Sequence, residues 1–164
     1  MKGNNETRVY RFNDHKNYDS WDLEHSGYYF VTGRDIYGKE ESYYFKPFFH
    51  ETARHGILVF EIANYLKKYH NLKFKTYLSR KPDIVIEIGE KKWAIEVETG
   101  IVLKKNKKQF LEKLESLKFN YGRGWFFVIT DRNLIKSYRR YGKTFTKRNI
   151  IKQLDKIAHY NYDD

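Results

Sequence analysis

The stretch Lys81 to Gly100, KPDIVIEIGEKKWAIEVETG, is where residue types and spacing could do chemistry. Gly89-Glu90 is a tight-turn signal between two β-prone runs, Asp83 to Ile88 and Trp93 to Glu98. A two-residue loop there pairs Ile88 with Lys91, and the same register puts Asp83 opposite Glu96. Alternation then turns Asp83, Glu96 and Glu98 to one face, and Ile84, Ile86, Ile88, Ile95 and Val97 to the other. Three carboxylates on one face raise one another's pKa unless a cation stands among them. A hard divalent ion is one solution. Mg²⁺ (or Mn²⁺) takes one or two carboxylates plus water, so Asp83, Glu96 and the backbone carbonyl of Val97 are the candidate ligands. The alternative is a solvated sheet face whose acids meet lysines from elsewhere in a chain that holds 32 Lys and Arg.

These residues need elements to position them. Thr52 can cap a helix running to about Tyr69, with Val59, Ile62, Ala63 and Leu66 on its apolar stripe. Glu61 lies at the edge of that stripe with no cation three or four residues away, so it either supports a metal-bound water or snorkels to solvent. Leu72 to Leu78 alternates as a strand, and Pro82 breaks the chain before the acidic hairpin. After Gly100 a lysine-rich start leads into a helix with Phe110, Leu111, Leu114 and Leu117 on one stripe. Gly124 to Thr130 is continuous and apolar, as expected of a strand covered on both faces. Aromatic runs at Gly27 to Thr32 and Ser42 to Phe49, with Gly33, Asp35 and Gly38 between them, predict an N-terminal hairpin. Residues 1–25 are polar and carry no assignable pattern. The C-terminal end reads as two helices, Leu134 to Arg140 and one capped by Thr146 with Ile150, Ile151, Leu154, Ile157 and Ala158 inward. The expected fold is α/β: a central mixed sheet flanked by helices in the order α-β-β-β-α-β. A single domain over 26–164 would hold its core at about 52–130 and a helical extension at 131–164.

The helix acid, Pro82-Asp83 and the Glu96-Val97-Glu98 triplet resemble the PD-(D/E)xK nuclease superfamily, which includes restriction endonucleases and archaeal Holliday-junction resolvases. The resemblance covers roughly Thr52 to Thr130. It implies a restriction-endonuclease-like core and a metal-dependent endonuclease. Asp83 and Glu96 would bind metal, Glu98 would orient the water or a second metal, and Glu61 would assist. Glu98 stands where the family has a lysine. Either the glutamate itself serves there, as in some members of that family, or the lysine comes from the following helix, with Lys107 continuing its inward stripe and Lys113 one position off it.

The charge balance points to a polyanion. The 164 residues hold 32 Lys and Arg against 21 Asp and Glu, a net charge of +11. Lys104, Lys105, Lys107 and Lys108 crowd a helix start, where cations oppose the macrodipole and a bound phosphate would relieve them. Arg123, Arg132, Lys136, Arg139, Arg140, Lys143, Lys147 and Arg148 form a second belt interleaved with Tyr121, Tyr138, Tyr141 and Phe145, a pattern suited to phosphate contact plus base stacking. The two C-terminal helices could also dock on duplex DNA as a loose helix-turn-helix. The candidate DNA contacts are Lys104, Lys105, Lys108, Lys113, Arg139, Arg140, Lys143, Lys147 and Arg148. The absence of cysteine excludes disulfides, Cys-ligated zinc and a thiol nucleophile. Gly142-Lys143-Thr144 lacks the upstream glycine of a phosphate loop, and His50 and His55 are five apart rather than the four a helical zinc motif needs. No uncharged run nears the roughly 18 residues of a membrane span, so a cytoplasmic protein is expected. Two functions fit: an endonuclease acting on DNA, dimeric if it cuts both strands, or a catalytically inactive DNA-binding accessory protein of a mobile element.

Overall fold

A computed structural model of the chain describes residues 8–14, 19–78 and 81–160. Residues 1–7 and 15–18 of the polar N-terminal segment and 161–164 at the far end lie outside them. The N-terminal third contains β1 (Val9–Arg11), α1 (Ser20–His25), β2 (Tyr29–Arg34) and β3 (Glu40–Phe45). The expected hairpin is present as β2 and β3, each nearer the turn than predicted. Asp35 closes that turn by accepting the N–H groups of Tyr37 and Lys39, at 3.0 and 2.8 Å. Part of the unassigned polar segment also has structure, because β1 pairs antiparallel with β3 and completes a three-stranded sheet in the order β1-β3-β2. Tyr43, Phe45 and Ile57 seal this sheet onto the following helix. Gly56 permits the approach, since a Cβ there would lie 2.4 Å from the Phe45 ring.

That helix is α2 (Ala53–Leu66), with Thr52 at its N-cap accepting the His55 N–H at 3.3 Å. After it come β4 (Lys73–Thr76), β5 (Ile84–Ile88), β6 (Lys91–Glu98), α3 (Ile101–Lys105), α4 (Lys107–Tyr121), β7 (Trp125–Ile129), α5 (Ile135–Arg139), β8 (Thr144–Thr146) and α6 (Lys147–Ala158). The sheet order is β4-β5-β6-β7-β8, antiparallel up to β6 and parallel from there on, so the protein is α/β with a mixed sheet. The acidic hairpin has the register its turn dictates, with Ile88 opposite Lys91 and Ile84 opposite Ile95. Ile84, Ile86, Ile88, Ile95 and Val97 pack with α2 and α6, while Ala94 and the β7 residues Trp125, Phe127 and Ile129 pack with α4 and Tyr138. The acids therefore share the α4 side of the sheet.

Three expectations are corrected. The helix after Gly100 is two helices, broken at Asn106, whose side chain caps α4 by accepting the Gln109 N–H at 3.1 Å. Lys104 and Lys105 thus occupy the last turn of α3, where cations suit the macrodipole, and only Lys107 and Lys108 face a helix start. The C-terminal region is not purely helical. Thr144–Thr146 forms β8 beside β7, so a sheet strand separates the two C-terminal helices and they do not form a helix-turn-helix. Among the described residues no helix is long and apolar enough to cross a membrane.

Candidate active site

Asp83 stands one residue before β5, and its position is set by backbone on both sides. Its carbonyl accepts the Tyr77 N–H at 2.9 Å, and its Oδ2 accepts the Val97 N–H at 2.8 Å. The second bond continues the hairpin register through a side chain, which holds the carboxylate against the end of β6. Its Oδ1 lies 3.1 Å from His55 Nε2, and His55 Nδ1 lies 2.9 Å from Glu51 Oε1. An imidazole facing carboxylates with both nitrogens can donate to both only when protonated. Burial pulls the His55 pKa down, but the hydrogen bonds and charges of Asp83 and Glu51 outweigh it and lift the pKa to about 10. Arg8 in turn pairs with Glu51. Burial would raise the Asp83 pKa. The His55 bond and charge, the Lys113 charge and the Val97 N–H together hold it below the ordinary carboxylate range.

Glu96, on β6, is only 1% exposed. Its Oε2 stands against the Lys113 ammonium, while Oε1 has no hydrogen-bond donor among the described residues. Burial pushes its pKa well up, the charges of Asp83 and Glu98 push it further, and Lys113 opposes them. Glu98 accepts the Tyr138 hydroxyl at 3.0 Å on Oε2, and its Oε1 lies 3.7 Å from Lys113 Nζ. Its pKa is also raised, first by burial and then by the Asp83 charge, against the pull of Lys113 and Tyr138. Lys113 is held cationic despite its own burial by Glu96, Glu98 and Asp83. Glu96 and Lys113 also line a cleft of about 330 Å³ between the sheet and α4, with Lys81 and Lys92 at its walls.

Sequence-predicted residues divide here. Asp83, Glu96 and Glu98 come together as the register predicted, and Val97 stands beside them. Glu61 does not join them. It is fully buried and faces the three-stranded sheet, where Arg11 grips it at 2.9 and 2.6 Å and the Ile36 N–H and Tyr43 hydroxyl bond it at 3.1 and 3.2 Å. Lys107 is exposed at the first position of α4, and Lys113 is the lysine that meets the acids. The reason is helix phase. Leu111 is 40% exposed, so the inward stripe runs through Phe110, Lys113, Leu114 and Leu117. Lys104, Lys105, Lys108, Arg139, Arg140, Lys143 and Arg148 are exposed, and Lys147 is half-buried. The aromatic residues of the second belt are not a stacking surface, because Tyr138 and Tyr141 pack edge-on against Phe110 and Phe145 against Phe126, while Tyr121 packs on the same core as Tyr141.

Sequence reasoning missed Glu51, His55, Arg8 and Tyr138. The signal for two of them was a Glu and a His four residues apart, which a helix start places on one side. Comparison with family models, with curated proteins and with solved structures found no match to the chain.

Proposed function

We propose that the chain is a divalent-metal-dependent endonuclease that hydrolyses DNA phosphodiester bonds on a restriction-endonuclease-like core. The element order α2-β4-β5-β6-α3-α4-β7 supports this, because apart from the short α3 it has the α-β-β-β-α-β order expected from the sequence. The observation that carries the reading is the buried Glu96 carboxylate. Among the described residues it has one oxygen lacking a donor, in a group where the cations paired with Glu51, Asp83, Glu96 and Glu98 are Arg8, His55 and Lys113. A protein does not leave a buried carboxylate oxygen without a donor for the sake of stability. A group with more acids than paired cations and a buried oxygen without a donor fits a hard cation.

Asp83 and Glu96 would hold the ion, with Val97 beside them and water completing the set. When bound, a divalent ion supplies positive charge for the phosphate oxygens. The chain's own residues do the remainder. His55 and the Val97 N–H fix the Asp83 carboxylate, so its orientation is set before substrate arrives. Lys113 places its ammonium between Glu96 and Glu98, where it can bind a non-bridging phosphate oxygen and offset the charge that builds there. Glu98, with its raised pKa and a Tyr138 bond on one oxygen only, can take a proton from the attacking water on Oε1. Lys113 thus serves where the family's lysine would stand. Cutting both strands calls for two such sites, hence a homodimer.

The DNA-binding accessory reading is favoured by one observation. Among the described residues no three His, Cys, Asp or Glu side chains stand close enough together to hold a metal. The two readings separate when wild type and Asp83→Ala are incubated with labelled duplex, single-stranded and branched DNA in Mg²⁺ or Mn²⁺. The nuclease reading expects cutting by wild type alone. Equal cutting by both proteins, or none by either, sinks it.

A further inference from the structure

A larger cleft, of about 800 Å³, opens where the three-stranded sheet meets the carboxyl ends of β6 and β7. Arg34, Arg54, Lys104 and Lys147 line it, and among the described residues Asp131 is its only acid. These cations come from four separate places: the end of β2, the first turn of α2, the last turn of α3 and the first residue of α6. Among the described residues Arg34, Arg54 and Lys104 pair with no carboxylate, and Lys147 donates to the Arg34 carbonyl. Two of the four sit where they are electrostatically unfavourable. Arg54 and Lys147 lie at the N-terminal ends of helices of 14 and 12 residues, neither of which has an acid in its first turn. Four cations gathered in a concavity with one lining acid among the described residues repel one another in the free protein, and an anion relieves that repulsion.

The cleft adjoins the acid cluster. Thr99, in its wall, follows Glu98 directly, and the N–H of Thr130, also in its wall, donates to the Glu98 carbonyl at 3.0 Å. Thr52 and Arg54, on another wall, lie within three residues of His55 in sequence. The carboxyl ends of parallel strands are also where open α/β sheets take their ligands.

We propose that this cleft is a second phosphate-binding site, in which Arg34, Arg54, Lys104 and Lys147 hold the backbone of a polynucleotide strand that runs on from the acid cluster. The course of the strand rests on the nuclease reading, whereas the binding rests on the cleft alone. Base identity plays little part, since the lining offers cations and hydroxyls rather than a stacked aromatic platform.

The test uses the full chain carrying Glu96→Gln, in EDTA, so that binding is read without cutting. Fluorescence anisotropy of a labelled single-stranded oligodeoxynucleotide is followed over a salt series. Arg54→Gln with Lys104→Gln removes two exposed, unpaired cations and leaves the fold intact. The pair is expected to lower the slope of log affinity against log salt by about 1.4, at about 0.7 per lost phosphate contact. Lys152→Gln with Lys156→Gln, an exposed pair on α6 outside the cleft and outside the candidate DNA contacts, is expected to leave the slope unchanged. Equal losses from both pairs, or no binding at all, would overturn the proposal. ATP replaces the oligonucleotide in a parallel titration, and ATP binding as tight as DNA binding and lost in the same cleft variant would overturn it in favour of a free nucleotide. Cutting in Mg²⁺ is scored separately with Glu96 intact, so a wild-type protein that binds through the cleft but never cuts refutes the nuclease reading and keeps this one.

Discussion

Glu61 and Glu96 are both buried carboxylates in a strongly basic chain, one on each side of the main sheet, and they are treated in opposite ways. Glu61 receives four hydrogen bonds: two from Arg11, one from a backbone N–H and one from a tyrosine hydroxyl. Glu96 shares one lysine with Glu98 and has an oxygen with no donor among the described residues. The first arrangement ties β1, β3 and the turn after β2 to α2, so its product is a joint between the two sheets. The second holds like charges together and leaves binding capacity unused. A buried acid whose bonds are complete is structural. One whose bonds are incomplete, in a group of acids, is the candidate for a ligand.

The largest effect should come from breaking the satisfied acid. Glu61→Ala leaves Arg11 and the Tyr43 hydroxyl without their partner, and a loss of roughly 3–5 kcal/mol is expected by chemical denaturation. Cutting per folded molecule should be unchanged. A loss of cutting in protein shown to be folded would place Glu61 in the site after all. Next comes Lys113→Met, which strips Glu96 and Glu98 of their shared cation and should cost about 1–3 kcal/mol, less than Glu61→Ala because these acids can take up protons instead. Millimolar Mg²⁺ should raise the melting temperature of this variant more than that of wild type, since the ion replaces the lost charge. Identical Mg²⁺ shifts in the two proteins would count against a cation site at Glu96.

The contrast was only half legible in the sequence. The acid cluster could be read because a two-residue turn at Gly89-Glu90 sets every pair in the hairpin, and Asp83 extends that register with its side chain. Glu61 could not be placed, because its partner Arg11 is fifty residues away in a segment without a pattern. Lys113 was ranked below Lys107 because Leu111 looked like part of the inward stripe, and a shift of one residue in phase moves the lysine onto the site. β8 was invisible for another reason: three residues flanked by lysines are too short for any period to show. His55 has a local cue, its spacing from Glu51, but its second partner Asp83 comes only from the tertiary fold.

Glu96→Gln tests the unsatisfied side directly. It removes a charge that the fold leaves incompletely paired, so stability should stay within about 1 kcal/mol of wild type. Cutting should fall by at least about a hundredfold, the scale for losing one charged group from a preorganised site. Stability and rate measured on the same preparation separate the two buried acids. If Glu96→Gln unfolds the protein as Glu61→Ala does, the distinction between them collapses.

Asp155 supplies the smallest and most delicate test, because it has donors without deep burial. The Tyr65 and Tyr69 hydroxyls both donate to its Oδ1, and their bonds overcome the upward push of desolvation to hold its pKa below the ordinary value of 3.8. A carboxylate depressed on folding contributes stability above its unfolded pKa, and that contribution disappears as pH falls through the folded value. Asp155→Asn should therefore cost a few tenths of a kcal/mol near neutral pH, small because the group is solvent-screened. The difference should shrink towards zero below pH 3.8, measured as urea denaturation across an acid series. A penalty that persists unchanged into acid would mean that the tyrosines need only an acceptor at this position, and that completeness of bonding, rather than charge, is what separates the structural acids from Glu96.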